Sequence, residues 1–254
     1  MTKASPFNGF TQEAATFLGE LAANNQRAWF ARHKSIYEAT VLAPMRHLVA
    51  ELGPSMLAID PAFDVRPQGG AVSRLYRDTR FSKDKSPFRV TQWIVFKPQA
   101  RDWPNRPAFF MEFGPNRYRY GMGFYCAAAA TMAAIRAHIE SAPDQCLDAM
   151  TQALRAGYSL EGDAYKRPRI PQNQPPLIQE WYRRKTAYVV KNKTTDAFFD
   201  NPALAEELKT AFAAAAPLYR FLNTPSWRNP SDDDKARAVA HGIEPSTRQQ
   251  HRIY

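Results

Sequence analysis

The hydrophobic period changes twice along this chain, from about 3.6 residues to 2 and back again, and that alternation constrains its architecture most. Residues 11–23 carry Phe17, Leu18 and Leu21 on one helical face. Thr11 stands where an N-cap is needed, and Asn24-Asn25 breaks this helix and can cap the next. From Trp29 onward, Phe30, His33, Tyr37, Val41, Leu48 and Leu52 recur near the helical period. The spacing predicts a long amphipathic helix, kinked or restarted at Pro44 and ended by Gly53-Pro54.

In the middle of the chain the period drops to 2. Residues 72–77, 90–97, 108–113 and 117–125 are short, aromatic and β-branched, with turn residues between them. Gly114-Pro115-Asn116 reads as the turn joining the last two strands. Along 117–125, Tyr118, Tyr120, Met122 and Phe124 point one way, and Arg117, Arg119, Gly121, Gly123 and Tyr125 the other. One side is predicted to be core; the other is an open face carrying arginine.

The helical period then returns. Met132, Ile135 and Ile139 mark one helix, and Pro143 opens another running to about Arg155. Residues 166–176 form a basic, proline-rich loop, after which Asn201-Pro202 starts a helix with Leu204, Leu208, Phe212 and Ala215 on one face. These patterns predict an α+β protein, with an antiparallel sheet of about four or more strands in the middle packed by N- and C-terminal helices. Residues 1–225 read as a single domain. Residues 226–254 read as a short helix, capped at Ser231-Asp-Asp-Asp234, and a polar tail.

Hydrophobic residues make up 44% of the 254, enough for a substantial core. The longest charge-free run, residues 120–135, is shorter than the ~20 apolar residues of a membrane-spanning helix. Residues 1–10 lack the apolar core of a secretory signal, so the expectation is a cytoplasmic protein with no membrane partner. Cys126 and Cys146 lie outside any C-x-x-C arrangement and read as reduced core thiols. His33, His47, His138, His241 and His251 lack metal-ligand spacing, so no metal or other cofactor is expected. There is no P-loop, G-x-S-x-G elbow or H-E-x-x-H pair. Gly121-Met-Gly123 is an isolated G-x-G, weak evidence for a nucleotide. Ser82-Lys-Asp-Lys85 matches S-x-x-K without the S-D-N and K-T-G elements that would give it meaning.

The net charge of +10 is unevenly distributed. Residues 66–89 hold seven basic and two acidic side chains, and residues 165–193 hold eight and one. Clustering of this kind marks a surface that attracts phosphate, nucleic acid or an acidic partner. The densest part, residues 74–89, interleaves its cations with Tyr76, Phe81 and Phe88. Arg74, Arg77, Arg80, Ser82, Lys83, Lys85 and Arg89 are the candidate anion-binding residues there, joined by Arg117 and Arg119 on the neighbouring strand. Asp78 and Asp84 are the supporting acids. They either brace the arginines or act as a general base or magnesium ligand, with Glu112 the obvious third carboxylate.

The chain resembles the microbial family catalogued as domain of unknown function 2461. The resemblance is carried by Phe7-Asn-Gly-Phe10, by Leu21-Ala-Ala-Asn-Asn25 with Trp29-Phe30, and by Tyr37 with Pro44. It is most specific at Arg74-Leu-Tyr-Arg-Asp-Thr-Arg-Phe-Ser-Lys-Asp-Lys-Ser-Pro-Phe88, and continues through Gly121-Met-Gly123 to Ile135-Arg136. The resemblance implies no catalytic residues. Family members often carry threonine and tyrosine where this chain has Ser86 and Phe88, so a tyrosyl hydroxyl at 88 is absent here.

Three functions fit the residues. The first is binding of an anionic ligand, nucleic acid or a phosphorylated small molecule, through residues 74–89. The second is an enzyme acting on a small phosphorylated or anionic substrate, with Asp78 or Asp84 as acid–base group or metal ligand. The third is a protein-interaction module whose arginine–aspartate network is structural.

Overall fold

The computed structural model describes residues 6–124, 126–195 and 201–224. The helix expected after Ser231 and the polar tail lie outside the described residues. The chain opens with α1 (Gln12–Ala23), α2 (Arg27–Ile36) and α3 (Ala43–Ile59). It continues through β1 (Gln92–Phe96), β2 (Ala108–Phe113), β3 (Arg117–Gly123), α4 (Ala129–Ser141) and α5 (Pro143–Arg155). The last elements are β4 (Ser159–Glu161), α6 (Pro176–Arg183), β5 (Tyr188–Thr194) and α7 (Leu204–Leu222). This is the α+β arrangement that the change of period predicts. No helix among the described residues is long and apolar enough to cross a membrane.

The long second helix is interrupted by π-helical turns at Tyr37–Leu42, just before Pro44. Proline lacks an N–H and its ring crowds the carbonyl four residues back, so a widened turn ahead of it relieves both problems. Gly53-Pro54 does not end α3, contrary to expectation; the helix runs on to Ile59. Pro54 is exposed, whereas Leu52, Gly53 and Met56 are buried. The single hydrogen bond that proline removes faces solvent, and packing of the opposite side carries the helix through. Thr11 and Gln26 hold the N-cap positions of α1 and α2, each without a side-chain capping bond, so the cap position of α2 falls one residue after Asn25.

The sheet has the order β1-β2-β3-β5-β4, with all neighbours antiparallel. The predicted β2–β3 hairpin is present, closed by the Gly114 N–H donating to the Arg117 carbonyl at 2.9 Å. The predicted strand at 72–77 is not; Val72 and Tyr76 make only isolated bridges, to Ile94 and Phe88. A side chain interrupts the ladder there, because the Ser73 hydroxyl accepts the Trp93 N–H at 3.0 Å.

One sheet face, formed by Ile94, Phe96, Phe109, Met111, Phe113, Tyr118, Tyr120 and Met122, is buried. Phe212 of α7 places its ring 5.2 Å from Phe109, 6.3 Å from Tyr120 and 6.4 Å from Phe96. Each such side chain stabilises the fold by about 1.5–3 kcal/mol through burial. Leu204, Leu208 and Ala215 join Phe212 in the core, as the spacing predicts. Cys146 is buried, its thiol pushed up to about 12 by desolvation, but Cys126 is exposed, so only one of the two cysteines is a core thiol.

Asn25 crosses from the α1–α2 turn to the middle of the chain. Its amide nitrogen donates to the Phe88 carbonyl, and its amide oxygen accepts the Phe88 N–H, both at 3.0 Å. Asn25→Ala leaves both backbone groups partly buried and unpartnered, and is expected to destabilise the protein by about 1–3 kcal/mol. Thermal melts check the loss, and hydrogen exchange at the Phe88 amide localises it.

His138 stacks on Phe221 with ring centroids 4.5 Å apart, and its Nε2 is buried without a hydrogen-bond partner. Burial pushes its pKa below the usual 6.5, against a hydrogen bond with the Phe221 backbone that favours the charged form. The unfolded chain therefore binds this proton more readily. Its contribution to stability is whole above about pH 6.5 and falls as pH drops toward the lowered folded value. Denaturant titrations between about pH 7.5 and 5 are expected to show wild type losing stability relative to His138→Phe.

Candidate functional site

Residues 74–89 fold back on themselves. The Arg77 N–H donates to the Pro87 carbonyl at 2.9 Å, and the Arg89 N–H to the Leu75 carbonyl at 2.8 Å. The root of this ribbon is anchored: Leu75 and Phe88 are buried, and the Phe88 ring lies 4.6 Å from Phe30 of α2. Position 88 is therefore a core position, filled here by an apolar ring. The tip, residues 78–86, stands in solvent.

Two aspartates shape that tip. Asp78 accepts from Arg80 through Nε–Oδ1 at 2.9 Å and Nη2–Oδ2 at 2.6 Å, and from the Arg80 backbone N–H at 3.2 Å. Asp84 accepts the Ser86 N–H at 2.9 Å through Oδ1 and the Arg77 guanidinium through Oδ2. These side chains make local turns of the kind aspartate favours, each braced by a charge-assisted bond. Lys85 donates one of its three N–H bonds to the Thr79 carbonyl at 2.9 Å.

Arg77 and Arg80 are thus occupied within the ribbon. Arg74, Lys83 and Lys85 are exposed, and Lys85 spends one donor on the Thr79 carbonyl. Ser82 is half-buried, its backbone N–H donating to the Thr79 carbonyl at 3.3 Å. The aromatic residues divide the same way. Phe88 is core, while Tyr76 is 57% exposed and Phe81 is 89% exposed, with the Arg80 guanidinium 5.8 Å from its ring.

At the base of the ribbon, the Arg89 guanidinium lies 4.5 Å above the ring of Trp93 on β1. Nearby, a depression of about 180 Å3 is lined by Thr91, Glu112, Asn116, Arg117 and Arg119, among others. Arg119 Nε donates to Glu112 at 2.5 Å, and its Nη1 reaches the Tyr188 hydroxyl at 3.5 Å. Arg117 is exposed. The nine cations and polar groups expected from the sequence therefore occupy two adjoining places, the ribbon and the β2–β3 end of the sheet. A second depression, about 480 Å3, is lined by Asp64, Lys97, Arg101 and Trp103. Neither depression is lined by Asp78 or Asp84.

The second basic stretch divides among structural tasks. Arg184 donates to the carbonyls of Gly162 and Leu160, Lys193 pairs with Glu207 at 3.2 Å, and Lys191 lies 5.1 Å from the Tyr158 ring centroid. Burial is the main cause of the lowered Lys191 pKa, assisted by Lys193. Among the described residues of this stretch, the loop at Lys166, Arg167 and Arg169 leaves exposed cations without a partner of this kind.

The sequence did not single out Trp93 or Tyr188 as neighbours of the arginines. Period-2 alternation through Gln92–Phe96 sets Trp93 opposite the core residues, which is the signal that finds it. Tyr188 lies on β5, whose pattern is hidden by its charged residues.

The side-chain hydrogen bonds of Arg80, followed by its backbone N–H, lower the Asp78 pKa from 3.8 to about 2. The Asp84 carboxyl is held lower still, by hydrogen bonds from Ser86 and then by Arg77. Both carboxylates favour the folded tip above their ordinary pKa and lose that effect only as pH falls toward the depressed values. The Arg80 Nε–H resonance is expected to hold its position from about pH 7 to 4, and to move between about 4 and 2; NMR titration reads this directly.

No curated protein matches the chain. Residues 13–221 match the family described as conserved hypothetical protein DUF2461, and the chain belongs to that family.

Proposed function

We propose that the protein binds nucleic acid, with residues 74–89 as the primary contact to the phosphate backbone. The observation that carries this reading is the ribbon tip, where a ring 89% exposed stands among cations on a turn already braced from within. Leaving a phenylalanine in water is unfavourable, and a flat ring beside arginine and lysine is suited to stacking on a base while phosphates are neutralised. Arg74 and Lys83 supply charges that the fold does not consume, and Lys85 keeps two of its three N–H donors beyond its bond to the Thr79 carbonyl. The aspartates support this reading rather than acid–base chemistry. Both oxygens of each are engaged, and a carboxyl held near pKa 2 is far from the value near neutrality that suits a general base.

The test is binding of labelled DNA and RNA oligonucleotides across a salt series, with wild type beside Lys83→Ala/Lys85→Ala. Wild type is expected to lose affinity steeply with salt. The double variant is expected to show a slope shallower by about 1.4 on single strands, about 0.7 for each phosphate it no longer neutralises. Weak binding at all salt concentrations with no effect of the variant would overturn the proposal.

A further inference from the structure

Helix α7 packs through Phe212 on the sheet face of Phe96, Phe109 and Tyr120. Cross-strand register places Trp93, Phe110, Arg119, Tyr188 and Asn192 together on the opposite face. The rings there are half-buried and Asn192 is exposed. Two glycines clear the middle of this surface. A Cβ at Gly121 would come 3.0 Å from the Phe110 ring, and one at Gly123 would come 2.4 Å from Tyr188. The Phe110 ring therefore leans across β3, and its centroid lies 6.0 Å from that of Tyr188, edge to face. The Arg119 guanidinium sits 5.9 Å from the first ring and 5.8 Å from the second. At the β1 edge, Arg89 on Trp93 repeats the pairing of ring and guanidinium, where the sheet meets the root of the ribbon.

We infer that this sheet face is a base-stacking platform for single-stranded nucleic acid, continuous with the ribbon; the inference rests on the nucleic-acid reading above. Three chemical features select that occupant. The rings Trp93, Phe110 and Tyr188 spread over β1, β2 and β5, a width of about 14 Å at the usual strand spacing, and stacking on a sheet needs bases whose faces are free. A duplex hides those faces. The charge is complementary: the exposed Arg117 adds to the ribbon's exposed cations, and Arg119 neutralises Glu112. Finally, Asn192 and Ser159 are exposed beside Glu161, which accepts from the Asn192 amide at 2.8 Å and from the Ser159 hydroxyl at 3.3 Å, so this edge of the face presents amide, hydroxyl and carboxylate groups suited to base edges rather than to phosphate.

The experiment uses the full chain with three probes: a fluorescent twelve-nucleotide single strand of DNA, the same sequence as duplex, and inorganic polyphosphate as competitor. The variants are Trp93→Ala and Phe110→Leu, the second keeping apolar bulk over Gly121 while removing the ring. Each is expected to weaken single-strand binding by about 5- to 150-fold, the range for removing one stacking ring, while competition by polyphosphate stays unchanged. Single-strand binding unaffected by both variants would overturn the platform and leave the ribbon reading standing. Duplex bound as tightly as single strand would also overturn it. No binding of either nucleic acid by wild type would remove both readings together.

Discussion

The close approach of β5 to β3 decides this architecture. Residues 188–194 enter the sheet beside β3, between it and β4, so the C-terminal part of the chain completes a surface begun near residue 92. That approach requires Gly121 and Gly123. A Cβ at Gly121 would stand 2.1 Å from the Val189 carbonyl oxygen, and one at Gly123 would stand 2.4 Å from the Tyr188 Cα. Any larger residue pushes β5 away and, with it, β4. The Gly-x-Gly pattern is thus explained by strand packing, without a nucleotide.

The same constraint organises both faces. On the buried face, β5 presents Val189 and Lys191 opposite Met122 and Tyr120. Lys191 lies beside the Tyr120 and Tyr158 rings, and Lys193 reaches Glu207 on the first turn of α7. Glu207 also accepts from the Tyr120 hydroxyl, so one carboxylate ties α7 to two adjacent strands. Burial, and next the hydrogen bond to Glu207, raises the Tyr120 pKa, keeping that hydroxyl a donor. On the other face, the missing side chains at 121 and 123 give Phe110 and Tyr188 room to lie near one another with Arg119 between them.

How much of this was legible in the sequence depended on whether a segment's environment was uniform along its length. α5 and α7 bury one continuous stripe, and their periodicity marked the extent of α5 and the start and core face of α7. The β2–β3 hairpin was equally clear, because Tyr118, Tyr120 and Met122 all face the core. β5 was hidden because its core-side positions are lysines at the end of the strand, satisfied by rings and a carboxylate distant in sequence. α3 misled for the opposite reason, since Gly53-Pro54 is a local stop signal overridden by burial on the side away from proline's missing bond. The ribbon was visible as dense charge. Which cations the fold consumes was not visible, because that depends on Asp78, Asp84 and the Thr79 carbonyl meeting them in space.

The internal pairing also bears on how the ribbon can engage a partner. A loop of free lysines and arginines would have to give up conformational entropy on binding, about 0.5–1.5 kcal/mol for each long side chain immobilised. Here Arg77 and Arg80 are already held by aspartates, Asn25 clamps the root, and the Arg89 guanidinium rests on Trp93. Much of the ordering is therefore complete in the free protein. The aspartates reduce the ribbon's net charge and so weaken long-range attraction, but they hold Arg77 and Arg80 in one geometry. In the proposed complex, a surface built this way favours the fit of rings and phosphates over bulk charge, so that reading rests on the exposed rings more than on the basic pI.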